Sequence, residues 1–287
     1  MKIVTDSAAD LPMSEVETLG INVVPLMIRF PDGEISSSDI DPDVFYNKLE
    51  AMFPNTPTTS LPSPGTFIKL FEELTKDKDE VMAVHISSGL SGTIQSARLA
   101  VNELPGLPVT TVDTLTLSGG ERFQVLAAYA AAKAGWAMER IVELLKSIQQ
   151  QCDVVFTLDT LDYLARGGRI GRVQALAGSL LRIKPVINVS KTDGKYNTVG
   201  KARTIARAEE AIVDHLVRAY NDTPLWVSVM HGRFAEPAEQ LANLVRTKLN
   251  CAKLEILRIS PVLGVHTGPG IVGAAVMPLA LVKDLGL

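Results

Sequence analysis

Apolar positions along this chain switch repeatedly between a period of two and a period near 3.6, and the switches predict its elements. Residues 2–5 read as a short strand running into Asp6-Ser7, and Asp10-Leu11-Pro12 opens a short helix. Residues 21–30 form a β-rich run, closed by the turn Pro31-Asp32-Gly33-Glu34 and continued by Ile35. Asp41 followed by Pro42 predicts an N-cap with proline in the first turn, opening a helix over 43–52. Residues 54–63 read as a loop, and 64–75 as a helix with Phe67, Ile68, Leu70, Phe71 and Leu74 at helical spacing. A strand follows at 81–86, then a Ser/Gly loop, a helix at 93–103 and a third strand at 109–112 that ends on Asp113-Thr114. Helices at 120–134 and 137–150 complete this half.

The texture changes after residue 153. A strand at 154–158 leads to a short helix at 161–166, stopped by Gly167-Gly168, and to another helix at 174–182. Strands at 186–189 and 196–199 flank Thr192-Asp-Gly-Lys195, a hairpin signal. A long amphipathic helix at 203–220, a strand at 225–230, a helix at 236–249 and strands at 254–259 and 271–276 follow. These alternations predict an α/β protein of two α/β domains, 1–152 with a mainly parallel sheet and 153–287 with a mixed sheet. Ligands of such sheets lie beyond the carboxyl ends of the strands. Asp6-Ser7, residues 87–91 and Asp113-Thr114 all fall at that edge.

Composition narrows the function. With 46% hydrophobic residues but only 5% aromatic ones, the 287-residue chain builds its walls mainly from aliphatic side chains. A net charge of −4 argues against a general nucleic-acid binder. Cys152 and Cys251 make no C-x-x-C pair and read as reduced thiols. The start Met1-Lys2-Ile3 carries no signal-peptide pattern, and no apolar run approaches the roughly 20 residues of a membrane span. A soluble, cytoplasmic protein is expected.

Three short segments carry the candidate chemistry: Thr58-Thr-Ser-Leu-Pro-Ser63, Ser87-Ser-Gly-Leu-Ser-Gly-Thr93 and Val262-Leu-Gly-Val-His-Thr-Gly-Pro-Gly270. Hydroxyls and glycines offer hydrogen-bond donors without adding charge, which suits one small anionic group beside an apolar volume. Each segment also has a purely structural reading. Ser91 stands where an N-cap of the following helix belongs, and Thr59-Ser60 precedes prolines in a stiff loop. His266, set among Gly264, Gly268 and Gly270, reads either as a solvated or hydrogen-bonded structural histidine or as an imidazolium able to pair with an anion, its glycines admitting a ligand close to the backbone. His85, His215 and His231 lack metal-ligand spacing, so no metal is expected. Neither a G-x-x-x-x-G-K-[ST] loop nor a well-placed G-x-G-x-x-G is present, so no nucleotide cofactor is expected. Arg166, Arg169 and Arg172, with Lys184, Lys201 and Arg203 nearby, form either a solvated cluster or a docking patch. Two enzymatic readings stay open. One is a serine acyl hydrolase using Ser91, His266 and Asp113 or Asp6, although glycine follows Ser91 directly instead of standing two residues on. The other is a phosphotransferase or sugar-phosphate binder using the arginines.

Taken in order, several segments resemble the DegV family, bacterial fatty-acid-binding subunits of fatty acid kinase. They are Val4-Thr-Asp-Ser-Ala-Ala-Asp-Leu-Pro12, Thr59-Ser60 with Pro62-Ser63, Ser87-Ser-Gly-Leu-Ser-Gly-Thr93 with Gln95-Ser-Ala97, Asp113-Thr114, the run from Leu158 to Arg172, Lys184-Pro185 and His266-Thr-Gly-Pro-Gly270. The resemblance implies one long-chain fatty acid buried between two domains, its carboxylate held by Thr59, Ser91 and His266, with Ser60, Gly92 and Thr267 beside them. It also implies a substrate-presenting protein that is not itself an enzyme. A separate ATP-dependent kinase would form the acyl phosphate for phospholipid synthesis, docking on Arg166, Arg169, Arg172 and Arg203. Leu61 stands where the family has glutamine, Ile94 where it has an aromatic residue, and Ser118-Gly-Gly-Glu-Arg122 is an unusual form of its segment.

Overall fold

The computed structural model describes residues 1–176 and 183–287. Its first half runs β1 (Lys2–Asp6), α1 (Met13–Leu19), β2 (Asn22–Val24), β3 (Met27–Phe30), β4 (Gly33–Ser36), α2 (Pro42–Met52), β5 (Thr58–Ser60), α3 (Pro64–Leu74), β6 (Val81–His85), α4 (Thr93–Glu103), β7 (Val109–Asp113), α5 (Ser118–Lys133) and α6 (Met138–Gln151). The second half continues with β8 (Asp153–Leu158), α7 (Asp162–Arg166), β9 (Lys184–Val189), β10 (Tyr196–Ala202), α8 (Ile205–Tyr220), β11 (Leu225–His231), α9 (Ala235–Lys248), β12 (Cys251–Arg258), α10 (Pro261–Thr267) and β13 (Ile271–Pro278).

Strands β2-β1-β6-β7 form a parallel sheet, and β10-β9-β8-β13-β11-β12 a mixed one in which β11 and β12 run parallel and the other pairs antiparallel. The α/β architecture with one parallel and one mixed sheet is therefore as expected. Successive side chains on a strand face opposite ways, and both sheets use both faces. Ile3 and Met82 face inward toward α5, while Val4, Val81 and Ala83 face outward onto Phe67 and Phe71 of α3. In the mixed sheet Val154, Phe156 and Trp226 face inward, while Val155, Val227 and Val272 meet α8 and α9. The helix α5 lies between the sheets and touches strands of both. The result is five layers, with helices outside, between and outside again. Sheets covered on both faces demand near-continuous apolar strands, as Leu225–His231 and Ile271–Pro278 show by being buried throughout.

Four stretches depart from the sequence-based expectations. The run 21–30 is two strands: Pro25, with no N–H to give a ladder, separates β2 of the parallel sheet from β3. Strand β3 joins β4 and β5 in a small antiparallel sheet, order β4-β3-β5, so part of the expected 54–63 loop is a strand. The segment around His266 is the helix α10, with Pro261 in its first turn. Of the expected helix at 174–182, residues up to 176 lie in a 3-10 turn, Gly171–Leu176, and 177–182 lie outside the described residues.

Candidate functional site

The small sheet exists where it can meet α10. Thr59 pairs with Ile28 and Ser60 with Met27, so consecutive hydroxyls point to opposite faces. Thr59 turns to α10, where its Oγ1 lies 2.9 Å from Nε2 of His266. Ser60 turns away and donates to Glu34. Of the two neighbouring hydroxyls, only the first joins the histidine.

His266 occupies the last turn of α10, which ends at Gly268 with φ +72. That left-handed backbone favours glycine. Burial, and secondarily the charge of Arg169, push the imidazole down to about 3. Desolvation of this depth favours the neutral imidazole. Its Nδ1 is buried without a partner among the described residues and faces Gly167. A Cβ on Gly167 would stand 2.2 Å from that nitrogen, so only glycine lets the ring sit there. The glycines around His266 also serve protein packing. A Cβ on Gly264 would meet Phe45 and Tyr46, one on Gly268 the ring of Tyr163, and one on Gly270 Asp159. Thr267, buried, spends its hydroxyl on the Leu263 carbonyl at 3.1 Å.

Ser91 lies in the loop between β6 and α4, which is held at several points. Asp6 accepts from the N–H of Ile86 and contacts His85 Nδ1, both at 3.0 Å, and Asp113 accepts from Ser88 and Leu115. Across the sheets, Ser87 Oγ donates to the carbonyl of Gly194 in the β9–β10 turn at 2.9 Å. Ser91 Oγ accepts from the N–H of Thr93 and pairs with its hydroxyl at 2.8 Å, while the N-cap position of α4 falls to Gly92 and not to Ser91. Leu61 packs over Gly92, which stands just before that helix. Among the described residues, neither imidazole nitrogen of His266 bonds Ser91, and neither Asp6 nor Asp113 bonds the imidazole. The hydrolase arrangement is not assembled.

An apolar cavity runs beside this point. It is lined by Ile259, Leu263 and Thr267, spaced four apart on one face of α10 and its approach, and opposite them by Val154, Phe156 and Tyr196. It is narrow, about 20 Å³, near the room one water needs and far below the roughly 300–1,000 Å³ of a ligand pocket.

The arginines separate. Arg169 donates to the Gly167 carbonyl at 2.7 Å, and with Arg172, Lys195, Gly89 and Leu90 it lines an open cleft of about 350 Å³ beside the Ser91 loop. Arg172 is also paired with Asp193. Arg166 lies over the Phe53 ring at 5.0 Å, and Arg203 is exposed where β10 gives way to α8. Cys152 and Cys251 are free thiols. Among the described residues there is no cluster of metal-binding side chains, and no helix is long and apolar enough to cross a membrane.

A family model described as an uncharacterised protein of the DegV family matches residues 1–279. A DegV domain-containing protein of Deinococcus radiodurans is 35% identical over 277 residues, covering 96% of this chain and 95% of its own length. The solved structure of a DegV family protein from Thermus thermophilus, described by its fatty acid binding, matches with a TM-score of 0.90 at 32% identity, over 96% of this chain and 99% of its own. A stearic acid-binding protein from Eubacterium ventriosum matches with a TM-score of 0.87 at 27% identity, over 96% and 98% of the two chains.

Proposed function

Because this chain belongs to the DegV family, we propose that it holds one long-chain fatty acid between two lobes, residues 1–152 and 153–287, and presents the carboxylate to a separate ATP-dependent kinase. The observation that carries this reading is the Thr59–His266 pair, with Thr267, the next residue, in the wall of the apolar cavity. Thr59 and His266 satisfy each other across 2.9 Å. A carboxylate inserted between them would exchange that bond for two charge-assisted ones and would raise the proton affinity of the imidazole. Gly92 and the Ser91 hydroxyl, at the start of α4, stand ready to add donors.

The tail supplies the affinity. Each methylene taken out of water contributes about 0.8 kcal/mol, so roughly 14 of them contribute on the order of 11 kcal/mol before ordering and association losses. An unpartnered buried carboxylate would cancel this, which is why the polar end is needed. The basic cleft at Arg169, Arg172 and Lys195 gives a phosphate donor an approach to the same end. In this reading the chain has no phosphotransferase chemistry of its own, the arginines Arg166, Arg169, Arg172 and Arg203 meet the kinase, and a cytoplasmic location follows from that partnership. Denaturing extraction of the purified protein should release close to one long-chain fatty acid per chain. Extracts free of such acids, from protein that also fails to take up palmitic acid, would refute it.

A further inference from the structure

A second, larger cavity opens at the N-terminal end of α10, away from His266. It is a surface cleft of about 690 Å³ between the start of α1, the segment after β4 and the approach to α10. Its walls mix aliphatic side chains, Leu11, Val16, Val23, Ile40 and Leu257, with polar ones that include Ser38, Asp39 and Arg258. Only a thin partition divides it from the apolar cavity. Ile259, 3% exposed, lines both voids. Beside it, Asp10 lines the cleft and Ser118 lines the cavity, and the Ser118 hydroxyl donates to Asp10 Oδ2 at 2.5 Å. The other Asp10 oxygen accepts from the Ser260 N–H at 2.7 Å. Both members of the pair hold left-handed backbones, Asp10 at φ 51 and Ser118 at φ 54. Non-glycine residues seldom do so, and such strain collects at functional positions.

From Thr267 back to Pro261 the helix rises roughly 9 Å, and Ile259 lies two non-helical residues further, roughly 7 Å of extended chain. A chain whose head lies at His266 and whose body follows α10 is therefore aimed at this partition. We propose that Ile259 and the Asp10–Ser118 pair form a displaceable end wall, through which the methyl end of a very-long-chain fatty acid passes into the cleft. The inference deepens the fatty-acid reading and rests on it. Breaking one hydrogen bond and turning one aliphatic side chain is offset by burying about two methylenes beyond the wall. Chains that end short of it leave it closed. Chains that continue past it gain the aliphatic surface of the cleft.

The full-length protein, stripped of lipid, would be offered decanoic, lauric, palmitic, stearic, behenic and lignoceric acids singly, and the bound acid counted by mass spectrometry of the intact complex. Behenic acid is expected to bind the wild type. Ile259→Ala is expected to raise the ratio of behenic to lauric binding by about tenfold. Ser118→Gly, which keeps the left-handed backbone without strain, should move the ratio the same way. Behenic acid carrying a diazirine at its methyl end should crosslink to Leu11, Pro12 or Met13, whereas the lauric analogue, too short to reach Ile259, should crosslink inside the cavity. Unchanged ratios in both variants, or crosslinks of the behenic probe confined to the cavity, would overturn the end wall. If the wild type binds none of these acids, the fatty-acid reading itself falls, a result distinguishable from a failure of the wall.

Discussion

At the C-terminal end of α10, burial drives the imidazole of His266 down to about 3; at its N-terminal end, burial drives the carboxyl of Asp10 up to about 7. Both shifts favour the uncharged form, because desolvation penalises charge of either sign. The two ends differ in how their partners are arranged. Asp10 receives hydrogen bonds from Ser118 and from the Ser260 N–H, which restrain the rise of its pKa. His266 has Thr59 on one nitrogen and nothing among the described residues on the other, and the Arg169 charge pushes it further from protonation. One end is a completed wall. The other keeps unused hydrogen-bonding capacity beside a cleft lined by cationic side chains, which is what an incoming anion requires.

Opposite shifts predict opposite pH slopes, the largest effect expected. His266 titrates near 6.5 when unfolded and near 3 when folded. Between those values the unfolded chain carries the extra proton, so stability is lost as the pH falls from about 6.5 toward about 3. Asp10 keeps its proton to about 7 when folded but loses it near 3.8 when unfolded. Its contribution is full below that lower value and is lost as the pH rises toward about 7. In the wild type the two slopes offset each other. Denaturant titrations should show Asp10→Asn gaining up to ~4 kcal/mol at pH 7 relative to its effect at acid pH, and His266→Gln losing the acid limb. Parallel slopes in the two variants would break the comparison.

Next in size is Gly167→Ala. Its backbone is ordinary helix, so the cost is the collision with His266 Nδ1. A loss of about 3 kcal/mol in thermal unfolding is expected, together with loss of co-purifying fatty acid. Gly168→Ala sharpens the contrast. That residue has φ +70 and open space around it, so about 1 kcal/mol of backbone strain should appear with fatty acid retained. Replacing His266 by Gln should weaken fatty acid binding by about 2 kcal/mol, near thirtyfold, measured by competition with a fluorescent acid. Smallest is Ser60→Ala. Its hydroxyl faces Glu34, so binding should change by less than about 0.5 kcal/mol in the same assay.

Most of the fold was legible because its signals are local. Alternating strands and 3.6-period helices fix which elements form, and the Asp41-Pro42 and Ser63-Pro64 starts appear as capped helices with proline in the first turn. The three-residue strand Thr58–Ser60 was not legible, since its prolines on both flanks outweigh so short a run and its partner, β3, lies far back in the chain. The candidate site divides in the same way. Motifs singled out Thr59, Ser91 and His266, but they gave no role to Gly167, Ser118 or Ile259, whose neighbours come from distant segments.

Sequence alone determined the alternation that builds two covered sheets, the aliphatic character of the interior and the segments rich in hydroxyl and glycine. These depend on neighbours a few positions apart, where period and propensity act. Only the tertiary structure decided that Thr59 meets His266 across 207 residues, that the imidazole is neutral, and that Ile259 stands between two voids. Each of these depends on which atoms share a desolvated space, and that is settled when distant segments close on one another.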